Sequence, residues 1–252
     1  MSTSYMRSKW TKYTFMSGSE GLRPHIPKTR LFTQKALWKC MNQYGDVILK
    51  PVYGSRGAGV FRLSSVGHDE YLIHCEKIRT FVHGKKEVFD YLNGKIESRS
   101  YIVQRRVHLA KVNDHPFDIR VIVQRRGKSD SWKVTGKVAK VAGKGYVVTN
   151  ITRSGGTVLP VKTAIQSSSI KLHSRRSLLS EIETVALLSA RILSKRKLYS
   201  NQRIFGFDMG LDQEGRVWII EANLKPMLSH FRKLKDRTMY RRILKHKGLA
   251  IR

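Results

Sequence analysis

Short apolar stretches with a period of two dominate the chain. Asp46 to Pro51 (DVILKP) reads as a buried strand, and Val60 to Leu63 as another. Glu70 to Glu76, Tyr101 to Val107, Phe117 to Val123, Trp132 to Val141 and Gly145 to Ile151 continue the series. In Phe117 to Val123, Asp118 and Arg120 alternate with Ile119 and Val121, so the two charges share one sheet face. Such a pair is often just a surface ion pair. In Trp132 to Val141 the alternation sets Lys133 and Lys137 outward, with Lys140 a weaker candidate for the same side. A period near 3.6 appears in fewer places. The longest is Arg175 to Lys197, where Leu178, Leu179, Ile182, Val185, Ala186 and Ser189 form a core stripe that Ile192 and Leu193 continue. Its basic end suits the helix dipole. Gln34 to Met41 stops at Gly45, and Lys85 to Leu92 is ended by Asn93-Gly94. Ser229 to Lys247 reads as a basic helix ended by Gly248. Ser8-Lys9-Trp10 leads a further helix, and Leu22 to Thr29 is a proline-stiffened connector.

Phe205 to Pro226 (FGFDMGLDQEGRVWIIEANLKP) reads as a hairpin. Phe205 to Met209 is an apolar strand holding one acid, Asp208. Gln213 to Arg216 has turn chemistry, and Val217 to Ile220 runs into Glu221-Ala222-Asn223. An antiparallel pairing brings Asp208, Glu221 and Asn223 together. Three oxygen-bearing side chains at one spot suit a hard cation that also holds phosphates. The alternative is an ordinary hairpin with charged ends. Upstream, Tyr53-Gly54-Ser55-Arg56-Gly57-Ala58-Gly59 lies between two strands. Glycines there let backbone amides approach phosphate oxygens, and Lys50 just before the loop can reach an α- or β-phosphate. A plain glycine-rich turn has the same spacing. The loop lacks the G-K-[ST] ending and following helix of a Walker loop, and it is not a dinucleotide fingerprint.

The chain has 252 residues, 40% hydrophobic, enough for a real core. It contains no apolar run long enough to span a membrane and no secretory-type apolar N-terminus. Cys40 and Cys75 have no metal-type spacing and read as reduced core thiols of a cytoplasmic protein. The net charge of +31 attracts polyanions: nucleic acid, anionic membrane, acidic peptide or nucleotide. The basic residues are dispersed, with no zinc-finger spacing and no basic tail, which argues against sequence-specific nucleic-acid binding. No Ser-His-Asp or Cys-His set is visible, and the scattered histidines read as surface or packing residues.

In order, the pieces are Lys50-Pro51 before a glycine flap, Val103-Gln104, Phe117-Asp118-Ile119-Arg120, Asn150 with Arg153-Ser154-Gly155-Gly156, then Asp208 and Glu221-Ala222-Asn223. This set resembles the ATP-grasp superfamily. HPFDIRVIVQ, VTGKVAKVAGK and VVTNITRSGG resemble its YheC/YheD-like members, named for association with the endospore coat. The resemblance runs from Lys9 to about Phe231. It implies an α+β fold in which two α+β subdomains grip ATP, here without the substrate domain that often precedes them. The boundaries expected are a helical and loop entry over 1–45, the ATP-grasp domain over 46–232 and a basic helix over 233–252.

By the same resemblance Lys50 contacts the phosphates, and Gly54, Ser55, Arg56, Gly57, Ala58 and Gly59 cover them. Gln104, Arg105, Arg106 and Val107 form the hinge beside adenine. Asp208, Glu221 and Asn223 hold Mg²⁺ or Mn²⁺, while Arg120 and Arg153 line the acyl-phosphate site. Lys9 matches an early phosphate lysine, and Lys137 is a further candidate for that pocket. The implied activity is ATP-dependent ligation of a carboxylate to an amine, with an acidic peptide among the candidate substrates. The same γ-phosphoryl machinery would serve a kinase, and a non-catalytic basic protein of the spore coat is the other alternative. Two departures stand out. Val107 to Lys111 lacks the acidic residue expected to hold the ribose, and Lys225-Pro226 follows Asn223 where small residues are usual.

Overall fold

The structure, a computed structural model, describes residues 3–54, 57–127, 131–143, 155–170 and 174–248. Ser55, Arg56, Arg153 and the strand expected over Gly145 to Ile151 lie outside the described residues. Two antiparallel sheets carry the architecture. The first joins β1 (Thr29–Leu31), β2 (Asp46–Pro51), β3 (Phe61–Gly67), β4 (Glu70–Cys75), β5 (Ile78–His83) and β6 (Tyr101–Arg105). Its order is β1-β6-β2-β3-β4-β5. The second joins β7 (Lys111–Val112), β8 (His115–Gln124), β9 (Lys133–Val141), β10 (Thr157–Leu159), β11 (Ile204–Leu211) and β12 (Val217–Asn223). Its order is β10-β9-β8-β11-β12, with β7 folded back on β8. Mixed helices and two antiparallel sheets make the α+β arrangement that the resemblance implies.

Each sheet buries one apolar face under helices. On the first, the helices Gln34–Tyr44 and Lys85–Ile96 pack Leu37, Cys40, Val88 and Leu92 against Val47, Leu49, Leu63 and Val103. Thr33 starts the former by accepting from the Ala36 N–H, and Gly45 ends it at φ 66, where a Cβ is strained. On the second, the helix Arg175–Ser194 lays Leu178, Ile182, Val185, Ala186 and Leu193 over Phe117, Ile119, Val121, Phe205 and Phe207. The opening residues are woven into both layers: β1 pairs with β6, and the helix Lys9–Ser17 packs on Arg175–Ser194. Cys40 is buried and Cys75 half-buried, and no disulfide joins them. Among the described residues no helix is long and apolar enough to cross a membrane.

The opposite face of the second sheet is divided. At one end the helices Ser229–Arg232 and Thr238–Lys247 seal it, with Phe231 and Ile243 against Ile122 and Val138. At the other end Asp118, Arg120, Lys140 and Asp208 remain open to a cavity. Asp118 and Arg120 therefore share a face as the alternation predicts, but they are buried rather than on the surface.

Four expectations change. Lys140 is 6% exposed, not outward, because its cross-strand partner is Asp118. The helix from Lys85 runs through Asn93-Gly94 to Ile96, since Ile96 extends the buried Val88–Leu92 stripe by one turn. Arg175–Ser194 ends before Lys195-Arg196-Lys197, where the chain turns to bury Tyr199. The terminal basic helix is broken in two, and the Asp236 carboxylate accepts from the Thr238 N–H to restart it.

Phe231 is fully buried in the small cluster that closes this face. Phe231→Ala should cost ~3–5 kcal/mol, measured by urea unfolding.

Candidate functional site

The polar faces of both sheets line one cavity of about 870 Å³. From the first sheet come Ile48, Lys50, Arg62, His74 and Gln104, and from the second Asp118, Arg120, Lys140, Asp208 and Glu221. The hairpin forms as the sequence reading expects. Asp208 is the cross-strand partner of Glu221, and Gly206 of Asn223. The register then shifts, so that Met209 pairs with Ile219. The bulge lets consecutive residues Ile220 and Glu221 both line the cavity, which strict alternation would forbid.

Asp208 is the electrostatic centre. Arg120 Nε donates to its Oδ1 at 2.7 Å and Nη2 to its Oδ2 at 2.8 Å. Lys140 Nζ lies 3.0 Å from Asp208 Oδ1 and 2.8 Å from Asp118 Oδ1. Asn223 Nδ2 donates to Asp208 Oδ2 at 3.0 Å. Burial alone would raise the Asp208 carboxyl, yet Arg120 and Lys140 hold it well below the usual carboxylate range. Burial would likewise lower Lys140, and Asp118 and Asp208 raise it instead. Asp208 therefore stays ionised.

A second set of contacts fixes β12. Among the described residues it is an edge strand, with outward carbonyls that no neighbouring strand pairs. Lys50 Nζ donates to Ile220 O at 3.2 Å, and the buried Lys12 Nζ to Ala222 O at 2.6 Å. Lys9 Nζ donates to Gly54 O at 2.8 Å and lies 3.7 Å from Glu221 Oε1. One turn of the helix Lys9–Ser17 thus ties the base of the glycine flap to the strand carrying Glu221. Burial pushes Lys50 and Lys12 each down to about 8, with Glu221 opposing.

The remaining expected residues divide. Gly57 and Ala58 line the cavity, and a Cβ on Gly59 (φ 67) would meet the Tyr101 hydroxyl at 2.6 Å. Gln104 Nε2 donates to Thr29 Oγ1, and Arg105, Arg106 and Val107 line the hinge end. Arg105 sits over the Tyr44 and Trp218 rings, and Arg106 pairs with Asp46. Lys137 is not brought to the cavity. It lies on the apolar face of β9 and pairs with Glu183 of Arg175–Ser194. Pro226 packs on Gly206, where a Cβ would meet the Pro226 Cβ at 2.4 Å.

The sequence reading missed Asp118 and Lys140 as site groups and Lys12 as a support. It also read all the histidines as surface or packing residues, yet His74 and His230 line the cavity. Burial pushes His230 down to about 4, and Lys140 and Arg120 add to that.

Two sheets closing on a cleft with paired lysines, a glycine flap and an Asp, Glu and Asn set on one hairpin define an ATP-grasp protein. The chain belongs to the YheC/D-like ATP-grasp family, whose model matches residues 1–247. It is 24% identical over 234 residues to the endospore coat-associated protein YheD of Bacillus subtilis (strain 168), covering 89% of this chain and 49% of that protein. It is 22% identical over 223 residues to YheC of the same organism, covering 86% of this chain and 59% of the other. The chain thus spans about half the length of these relatives. Among solved structures, biotin carboxylase from Campylobacter jejuni in its β-γ-ATP complex superposes with a TM-score of 0.58 at 14% identity, covering 98% of this chain and 47% of that one.

Removing Lys140 leaves Asp118 and Asp208 sharing the remaining cation, so Lys140→Met should destabilise by ~3–5 kcal/mol, read by urea unfolding. Lys50 behaves differently. An unfolded lysine titrates near ~10.4, and the folded one at about 8, so folding opposes its charge. The penalty is full below about pH 8 and fades as the pH rises toward ~10.4. Lys50→Met should therefore raise stability near neutral pH, and its advantage over the unsubstituted protein should shrink as the pH rises through that window.

Proposed function

We propose that the cleft binds ATP with Mg²⁺ or Mn²⁺ and ligates a carboxylate to an amine through an acyl phosphate. The observation that carries this reading is the convergence of Asp208, Glu221 and Asn223 on paired strands opposite Lys50. Among the described residues no three acidic, histidine or cysteine side chains form a metal cage. Two carboxylates and an amide fit instead a cation whose other ligands are phosphate oxygens. Asn223 turns its Nδ2 to Asp208, which leaves its carbonyl oxygen for the ion. Such an ion would neutralise the phosphate oxygens and orient the γ-phosphoryl group.

The chain's own residues have separate tasks. Lys50 gives up Ile220 O for a phosphate oxygen, whose negative charge restores the proton that burial loosens. The substrate carboxylate attacks the γ-phosphorus, the bond to the bridging oxygen breaks, and ADP leaves. The amine then attacks the acyl carbon, phosphate departs with the bonding pair, and the nitrogen loses a proton. Arg120 and Lys140, already aligned on Asp208, balance charge on the transferred group at no reorganisation cost. Arg153 and the flap residues Ser55 and Arg56 belong to the same proposal by their place in the motifs, as do the bounds 46–232 for the gripping unit. An acidic acceptor peptide suits a chain of net charge +31, as does association with a spore coat.

Glu221→Gln should weaken Mg²⁺-dependent ATP binding by about tenfold or more, measured by calorimetry with and without the ion. Equal affinity for both proteins would remove the metal assignment. Product analysis then separates the chemistries: ADP, phosphate and a new amide support ligation, whereas a stable phospho-product shows a kinase.

A further inference from the structure

One cross-strand row of the first sheet runs from the hinge residue Gln104 to the outer strand β5. The register pairs Gln104 with Ile48, Ile48 with Arg62, Arg62 with His74 and His74 with Arg79. Directly opposed residues share a face, and all five line the cavity. At ~4.8 Å per strand the row carries the cleft roughly 14 Å from Ile48 to the outer strand β5. It leads away from Lys50 and the flap.

The charge along this row is one-sided. The Asp46 carboxylate receives Arg62 at 2.9 Å and is shared with Arg106. Arg79 has no acidic partner among the described residues. The acids that line the cavity are Asp118, Asp208 and Glu221, all on the second sheet. The acidic ribose contact expected after the hinge is replaced by His108 and Lys111, which also line the cavity. Between the two arginines stands His74, 5% exposed, and its Nε2 has no hydrogen-bond partner. Burial lowers its pKa, and Arg79 lowers it further. Buried polar atoms are normally satisfied, and exceptions call for a partner. The ring does bond the Glu76 backbone, but solvated surface arginines would not explain a buried imidazole whose Nε2 is left without a partner. The space exists as well, since about 870 Å³ is near the top of the ~300–1,000 Å³ range for ligand pockets.

We propose that Arg62, His74 and Arg79 form a second anion site in the cleft, which takes a phosphate group distinct from the triphosphate. The two guanidinium groups supply charge-assisted donors, and His74 Nε2 supplies a third contact. The phosphate has two available sources: the ribose of a nucleotide phosphorylated on its sugar, or a separate molecule. The site does not depend on the ligase reading.

The test uses the whole chain with ¹⁵N-labelled histidine, saturated with ADP and Mg²⁺ so that the Lys50 end is filled. Inorganic phosphate is the probe. The His74 side-chain signals, assigned with His74→Gln, should shift saturably. Arg79→Ala should weaken the effect about tenfold, while Arg241→Ala, on the exposed helix Thr238–Lys247, should leave it unchanged. Adenosine 2′,5′-bisphosphate is then compared with AMP. A preference of about tenfold that Arg79→Ala abolishes supports the site with the ribose as carrier. Equal binding beside the phosphate response supports the site with a separate carrier. A His74 signal unmoved by phosphate, or moved equally in Arg79→Ala, overturns the proposal. Should ADP itself fail to bind, the nucleotide reading falls, and the same phosphate titration without ADP still decides the second site.

Discussion

The carboxylate of Asp208 is the constraint on which the cleft depends. It is an anion 7% exposed, on a central strand, and an uncompensated charge there would not survive burial. Arg120 meets both its oxygens, Lys140 bridges it to Asp118, and Asn223 adds a donor. Three neighbouring strands, β8, β9 and β11, therefore contribute charges to one compensated cluster. Its members hold each other in place, so the cluster is preorganised before any ligand arrives. The same mutual neutralisation explains how a chain of net charge +31 can turn a strongly charged sheet face inward.

The second constraint is the exposed edge of β12. An edge strand has unpaired carbonyls, and here lysines from the N-terminal half meet them. Lys12 and Lys50 thereby join the two layers of the fold at the strand that presents Glu221. Neither lysine is comfortable in that position, because burial works against its charge. A phosphate group between the sheets would relieve Lys50 more than the carbonyl it now contacts. The contact that closes the edge is thus also one that a ligand can compete for.

Much of this was legible in the residues. The hairpin of β11 and β12, the strand Asp46–Pro51 and the apolar stripe of Arg175–Ser194 follow from local periodicity and turn chemistry alone. So did the meeting of Asp208 with Glu221 and Asn223, since a hairpin's own turn sets its register. Less legible was everything that depended on partners distant in the chain. Lys140 and Lys137 lie three residues apart, and only Lys137 read as a pocket candidate. The register of β9 on β8 sends Lys140 to Asp118 and Lys137 to a helix carboxylate, Glu183. His74 and His230 read as bland because nothing beside them in sequence marks a cleft.

The sequence by itself determined which residues share a face, where strands and helices begin, and which family the motifs belong to. Those properties rest on backbone geometry and on short-range pattern, which a linear chain encodes directly. Only the tertiary structure decided which face of each sheet turned to the cavity, that both faces of β8 are buried, and that a row holding Arg62, His74 and Arg79 extends the cleft. Alternation has period two whichever side is covered. Which side becomes a core and which a site depends on the helices and the opposite sheet that pack there.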